Sequence, residues 1–268
     1  MTATVSTVVD RVGDRRPDVT RIPLSRAVRV ELRKMFDTRA GFWLIASIGI
    51  TGLIATVATV AFAPDADLTY YTFAKAIGFP ITVILPMVAL LSITSEWSQR
   101  SGLTTFTYVP DRRLVIGAKT LTSIAVAVAS MLFAFAIGAV GTVVGSTVAG
   151  VPEVWDVSLG HALTIVLGNL TCLLTGTMLG MLLRSSAGGM VTYFVITLLV
   201  PTMSGLLAAS QQWFADLQPW VDLNYAQSFL FDGMQTGAEW AHIASTVAIW
   251  IVLPGILGLR LVMRSEVH

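Results

Sequence analysis

The chain has 268 residues, 54% of them apolar and 12% charged. Soluble domains run at roughly 45–50% apolar and about 25% charged. With a mean hydropathy of +0.75 and charges crowded into a few segments, the composition excludes a water-soluble globule. It also excludes a β-barrel, whose strands would alternate polar and apolar residues. What remains is a chain of apolar runs long enough to cross the ~30 Å hydrocarbon core as helices. The single cysteine, Cys172, rules out an internal disulfide framework. His161, His242 and His268 have no metal-ligand spacing.

Residues 1–21 lack an apolar core of signal-peptide length and are expected to form a disordered cytoplasmic tail. Residues 22–40 then carry Leu24, Val28, Leu32, Met35 and Phe36 on one helical face, with Arg26, Arg29, Glu31, Arg33 and Lys34 filling much of the rest. This pattern predicts an amphipathic helix lying in the membrane interface. A soluble helix packed on a partner would show the same pattern.

Six apolar runs follow, over about 41–63, 72–95, 118–148, 161–183, 189–209 and 242–263. The predicted fold class is therefore an all-α membrane protein with six transmembrane helices, the domain running over 41–268. Pro80, Pro86, Pro201 and Pro254 fall inside the runs and are expected to kink them. The connections sort by charge. Sixteen of the seventeen Lys and Arg residues fall on one side of a six-span layout, and Asp65, Asp67, Glu153, Asp156, Asp216, Asp222, Asp232 and Glu239 fall on the other. The positive-inside rule then puts both termini in the cytoplasm of a cell-membrane protein.

The loop 96–113, EWSQRSGLTTFTYVPDRR, is polar, opens on an acid and closes on Pro110 and two arginines. Its residues fit either a short cytoplasmic helix that docks on a partner or an ordinary connector whose arginines fix the topology. The segment 210–241 is too rich in large apolar groups for a solvated loop. It predicts one or two short helices in the outer leaflet, with Asp216, Asp222 and Asp232 turned to water.

In the spans, Gly176 and Gly180 make a G-x-x-x-G, and Gly138, Gly141 and Gly145 thread the third span. Internal packing is the ordinary use of such residues, and a dimer seam is the other. Asn169, near Thr171 and Thr175, calls for hydrogen-bond partners on other helices or lines a cavity. No Asp, Glu, Arg or His stands near the middle of any run. Such a group is usual in proton- or ion-coupled carriers, so energy supplied from outside the membrane and a lipophilic or amphipathic cargo are expected.

Taken together, Glu31, Lys34 and Arg39 before the first span, then Glu96, Trp97, Arg100, Thr105, Pro110, Arg112 and Lys119 around the loop, resemble the permease subunits of the ABC-2 family of ATP-binding-cassette exporters. Ser101 stands where that family most often has threonine. The resemblance covers nearly the whole chain through short motifs. It implies the type V exporter layout: a connecting helix (Glu31, Lys34, Arg39), six spans, a coupling helix on the second loop (Glu96, Trp97, Arg100, Thr105, Pro110, Arg112), and small helices before the last span. It also implies pairing with a second permease, the same chain or a homologue, and docking on ATPase subunits, two per complex.

The chain has no G-x-x-x-x-G-K-[ST] phosphate loop, so it binds no cofactor directly and ATP is used by the partner. No enzyme activity, metal site or nucleic-acid partner is expected, and membrane lipid is. Asn169, Thr175, Trp220 and Phe229 are the candidate pathway residues. A substrate-binding subunit of an importer is the second reading. An intramembrane enzyme is the third, disfavoured because no nucleophile–base pair is visible.

Overall fold

Within a bilayer every backbone N–H and C=O must be satisfied by the protein itself, which leaves an apolar run little choice but to coil. The computed structural model describes residues 23–98, 112–233 and 236–264. Helix α1 (Leu24–Asp37) leads through a corner at Thr38 into α2 (Arg39–Phe62). Then come α3 (Tyr70–Ser98), α4 (Arg112–Ala149) and α5 (Leu159–Leu183). Helix α6 (Ser186–Ser210) is followed by the short α7 (Gln212–Val221) and α8 (Leu223–Asp232), and α9 (Gly237–Arg264) closes the bundle. Six of these helices are long and apolar enough to cross a membrane, namely α2 from Gly41 onward, α3, α4, α5, α6 and α9.

The bundle is built around α3. Phe73, Ile77, Ile81, Leu85, Ala89 and Ile93 recur every fourth residue and are at most 2% exposed. This row packs against α2, α4 and α5. Small residues on the neighbours let the backbones close in. Gly141 and Gly145 of α4 seat the Phe73 ring, and Gly180 of α5 seats Ile93. At Gly176 of α5 a Cβ would collide with the backbone carbonyl of Pro86 on α3. The glycine patterns thus serve packing inside one chain. By contrast, α2 and α6 bury little, and Ile54, Val57, Leu198 and Leu206 stand outward.

The prolines act through the hydrogen bonds they delete. Pro86 has no N–H for the carbonyl of Thr82, four residues earlier. The hydroxyl of Tyr193 on α6 donates to that oxygen at 2.8 Å. Pro201 and Pro254 each follow a π-helical stretch, Val195–Leu199 in α6 and Ala248–Val252 in α9. In the first stretch Val200 N–H reaches back to Val195 O. Proline then fails the next carbonyl, Ile196 O, which accepts from the Asn224 side chain of α8 at 3.1 Å. At Pro201 and Pro254, two of the prolines where kinks are expected, the helix is locally widened.

The segment before the last span does form two short helices. Asp216 is exposed as expected, and Asp232, 58% exposed, accepts from the Tyr71 hydroxyl and meets Lys75. Asp222 departs from expectation. It is 6% exposed and its carboxylate caps α8, accepting from the N–H groups of Asn224 and Tyr225. A buried helix start needs such an acceptor more than the surface needs another charge. The carbonyls ending α7 are taken by α9: Ser245 donates to Trp220 O and the Trp250 indole to Val221 O at 2.7 Å.

Gly176→Ala should cost about 1–3 kcal/mol by overpacking, lowering the detergent melting temperature by about 5 °C. Gly78→Ala, where an added Cβ meets nothing within 4 Å, should leave it unchanged or slightly higher. Thermal unfolding of the purified variants checks both.

Candidate functional site

The residues that flank the second loop meet the first helix at one buried point. Helix α1 has an apolar flank, and Glu31 and Met35 are its buried positions, turned to the bundle. The Thr122 hydroxyl of α4 donates to Val28 O of α1 and to Ala118 O of its own helix. One turn from Thr122, Lys119 places its ammonium 2.7 Å from Glu31 Oε2 and 3.1 Å from Glu96 Oε1 at the end of α3. Lys34 completes a square, 2.8 Å from Glu31 Oε1 and 3.6 Å from Glu96 Oε1.

Three of the four side chains are at most 8% exposed, and Lys34 is 47% exposed. Such charges survive burial because each has an opposite neighbour. Burial pulls the Lys34 ammonium down, but the hydrogen bond and charge of Glu31, then the charge of Glu96, outweigh it and hold its pKa above the ordinary value.

This quartet ties together α1, the end of α3 and the start of α4. Three further hydrogen bonds join two other helices to the same end. The Thr94 and Ser98 hydroxyls both lie 2.7 Å from the Ser186 hydroxyl at the start of α6. Arg112, at the start of α4, donates to Val262 O of α9 at 2.8 Å. Trp97 packs with Ile93, Ile116 and Val262.

Beside the quartet lies a cavity of about 440 Å³. Its lining is largely apolar, with Leu44, Ile45, Val88 and Leu91, joined by several serine hydroxyls, and all four members of the quartet border it. Gly41 lines it at the α1–α2 corner, where a Cβ would collide with Met35 O.

Of the expected coupling residues, Glu96 is buried, and the half-buried Trp97 and Arg112 each contact the bundle. Arg100, Thr105 and Pro110 lie outside the described residues, as does most of the expected coupling helix. Of the connecting-helix set, Glu31 and Lys34 join the quartet and Arg39 is exposed.

The four candidate pathway residues do not converge. Asn169 donates to Ile165 O and Thr175 to Thr171 O, both in their own helix. Asn169 Oδ1 is buried without a partner. Trp220 stands edge-on to His242, and Phe229 edge-on to Tyr225. The interhelical bond looked for at Asn169 is made instead two residues on, where Gln227 of α8 donates to the Thr171 hydroxyl at 2.7 Å. The sequence shows Glu31, Lys34, Glu96 and Lys119 as motif members, yet no local pattern says that they share one point. Charges that border an apolar run on three separate segments are the signal that such a cluster leaves.

Replacing Lys119 by Met leaves two buried carboxylates sharing the half-exposed Lys34 ammonium and should cost about 3 kcal/mol. Adding Glu31→Gln and Glu96→Gln to that variant should recover much of the loss. Thermal unfolding reads the difference, and a Lys119→Met protein as stable as wild type would mean the quartet is not held by its charges.

Searched against known proteins, the chain matches no family model, and no curated protein matches it either.

Proposed function

We propose that this chain is the permease subunit of an ABC-2-type exporter, moving a hydrophobic or amphipathic compound out of the cytoplasm or inner leaflet on energy from a partner ATPase. The observation that carries the reading is the quartet of Glu31, Lys34, Glu96 and Lys119. The loop 99–111 joins α3 to α4. Any push on it acts on two helix ends that are both clasped to α1, the end of α3 through Glu96 and Lys34 and the start of α4 through Lys119 and Glu31. A strong, buried, multivalent ionic contact makes α1, α3 and α4 move as one body. A soluble motor needs such a part: hydrolysis on the cytoplasmic side has to become a displacement of spans.

Other features fit the same machine. The least buried spans, α2 and α6, offer the surface for a second permease. The cavity beside the quartet pairs a largely apolar lining with the charged quartet at its border, as an amphipathic cargo requires. Helices α7 and α8, pinned to the π-helical stretches of α6 and α9, cover the other end of the bundle. In this reading both termini are cytoplasmic, the loop 96–113 docks the ATPase, α1 lies in the interface, and two ATPase subunits serve two permeases.

Replacing residues 101–108 by a Gly/Ser linker of equal length should abolish ATPase co-purification and transport while insertion into the membrane is unchanged. A variant that keeps the ATPase and full transport would leave the loop a connector. Orientation has its own test. In a Cys172→Ser background, single cysteines at Asp67 and Glu153 should react with a membrane-impermeant thiol reagent in intact cells, and one at Ser185 should react only after the membrane is opened.

A further inference from the structure

On the other flank of α1 from the quartet runs a second hollow. Leu32 and Phe36 of α1, Ile48 and Gly49 of α2, and Ala129 and Phe133 of α4 line a groove of about 560 Å³, apolar apart from Ser130. Its α2 side begins six residues into that helix and ends at the tenth, about 9–15 Å along it at 1.5 Å per residue. That is acyl-chain depth in the leaflet on which α1 lies. Leu32 and Phe36 are 38% and 50% exposed, so the described residues leave the groove open. Its apolar lining at that depth suits a hydrocarbon tail.

The surface of α1 beside the groove is mainly basic, with one exposed acid, Asp37, at the helix's C-terminal end. Arg29 and Arg33 stand three residues before Leu32 and Phe36, and so beside them on the helix surface. Arg26 extends the same stripe. All three are exposed. Among the described residues, no acid pairs with any of them. The lysines of the quartet, by contrast, are neutralised by Glu31 and Glu96. Guanidinium groups with no counter-charge suit a phosphodiester, which they bind in bidentate fashion.

We propose that this groove and the Arg26–Arg29–Arg33 stripe form a site for one anionic phospholipid, with an acyl chain against Ala129 and Phe133 and the headgroup phosphate on Arg29 and Arg33. The bound lipid fixes α1 to the bilayer and closes the groove between α2 and α4. The proposal rests on the reading that the chain spans a membrane with α1 in its interface, and is independent of the exporter activity.

Native mass spectrometry of the purified full-length chain tests it, with phosphatidylglycerol and phosphatidylcholine of identical acyl chains as probes. Wild type should retain one phosphatidylglycerol in preference to phosphatidylcholine. Arg29→Gln with Arg33→Gln should weaken that binding about thirtyfold, from roughly fivefold per arginine. Ala129→Phe, which fills the groove from an exposed position and leaves the arginines alone, should weaken it at least tenfold. Ser130→Leu serves as a second filler if the first lowers the melting temperature in detergent. Equal retention of the two lipids by wild type would overturn the proposal. So would full retention by the groove-filled variants, which would mean diffuse attraction to the stripe. A lipid-free dimer that excludes phosphatidylglycerol would put a second copy in the groove and overturn it too.

Discussion

A carbonyl that loses its helical partner in the middle of a bilayer has no water to turn to, and this bundle is arranged around that shortage. Pro86 frees Thr82 O, and the Tyr193 hydroxyl takes it. Pro201 frees Ile196 O, and Asn224 takes it. The last carbonyls of α7 go to Ser245 and Trp250. Each repair comes from a different helix, so each ties two elements together. α6 is bound to α3 by one such bond and to α8 by the other, which leaves the outer helices few ways to sit. Polar residues that look idle on a hydropathy plot are, in this setting, the fasteners of the fold.

The charged quartet follows the same logic with higher stakes. A lone Lys119 at 4% side-chain exposure would be untenable. With Glu31 and Glu96 it becomes a junction of α1, α3 and α4. An apolar contact of the same size would let the three helices slide against each other. Ionic hydrogen bonds of 2.7–3.1 Å fix distance and direction together. That is why the quartet suits a part that passes displacement on.

The six spans are legible in the sequence because length and hydropathy alone decide them: the runs at about 72–95 and 118–148 became helices over Tyr70–Ser98 and Arg112–Ala149. The two short helices before the last span are legible from their large apolar residues at helical spacing. The site was harder to read. Glu31, Glu96 and Lys119 stand out as single residues, but their meeting depends on how α1 crosses α4, which no local pattern encodes. Asp222 looked like a surface acid because its charge is local information and its burial is not. The π-helical stretches escaped for a similar reason. A proline predicts a missing bond, and only the neighbours decide whether the helix kinks or widens.

The contact between Gly176 and the Pro86 carbonyl has a consequence for motion. Where two backbones touch with no side chain between them, there is no yielding layer, so α3 and α5 are locked in register along their axes. Shear between packed helices, one of the common ways a bundle changes shape, is closed to this pair. In the exporter reading proposed above, the working stroke is a hinge instead: α1, α3, α4 and α5 turn as a unit, and the bending falls on the corner at Thr38 and on the widened turns before Pro201 and Pro254.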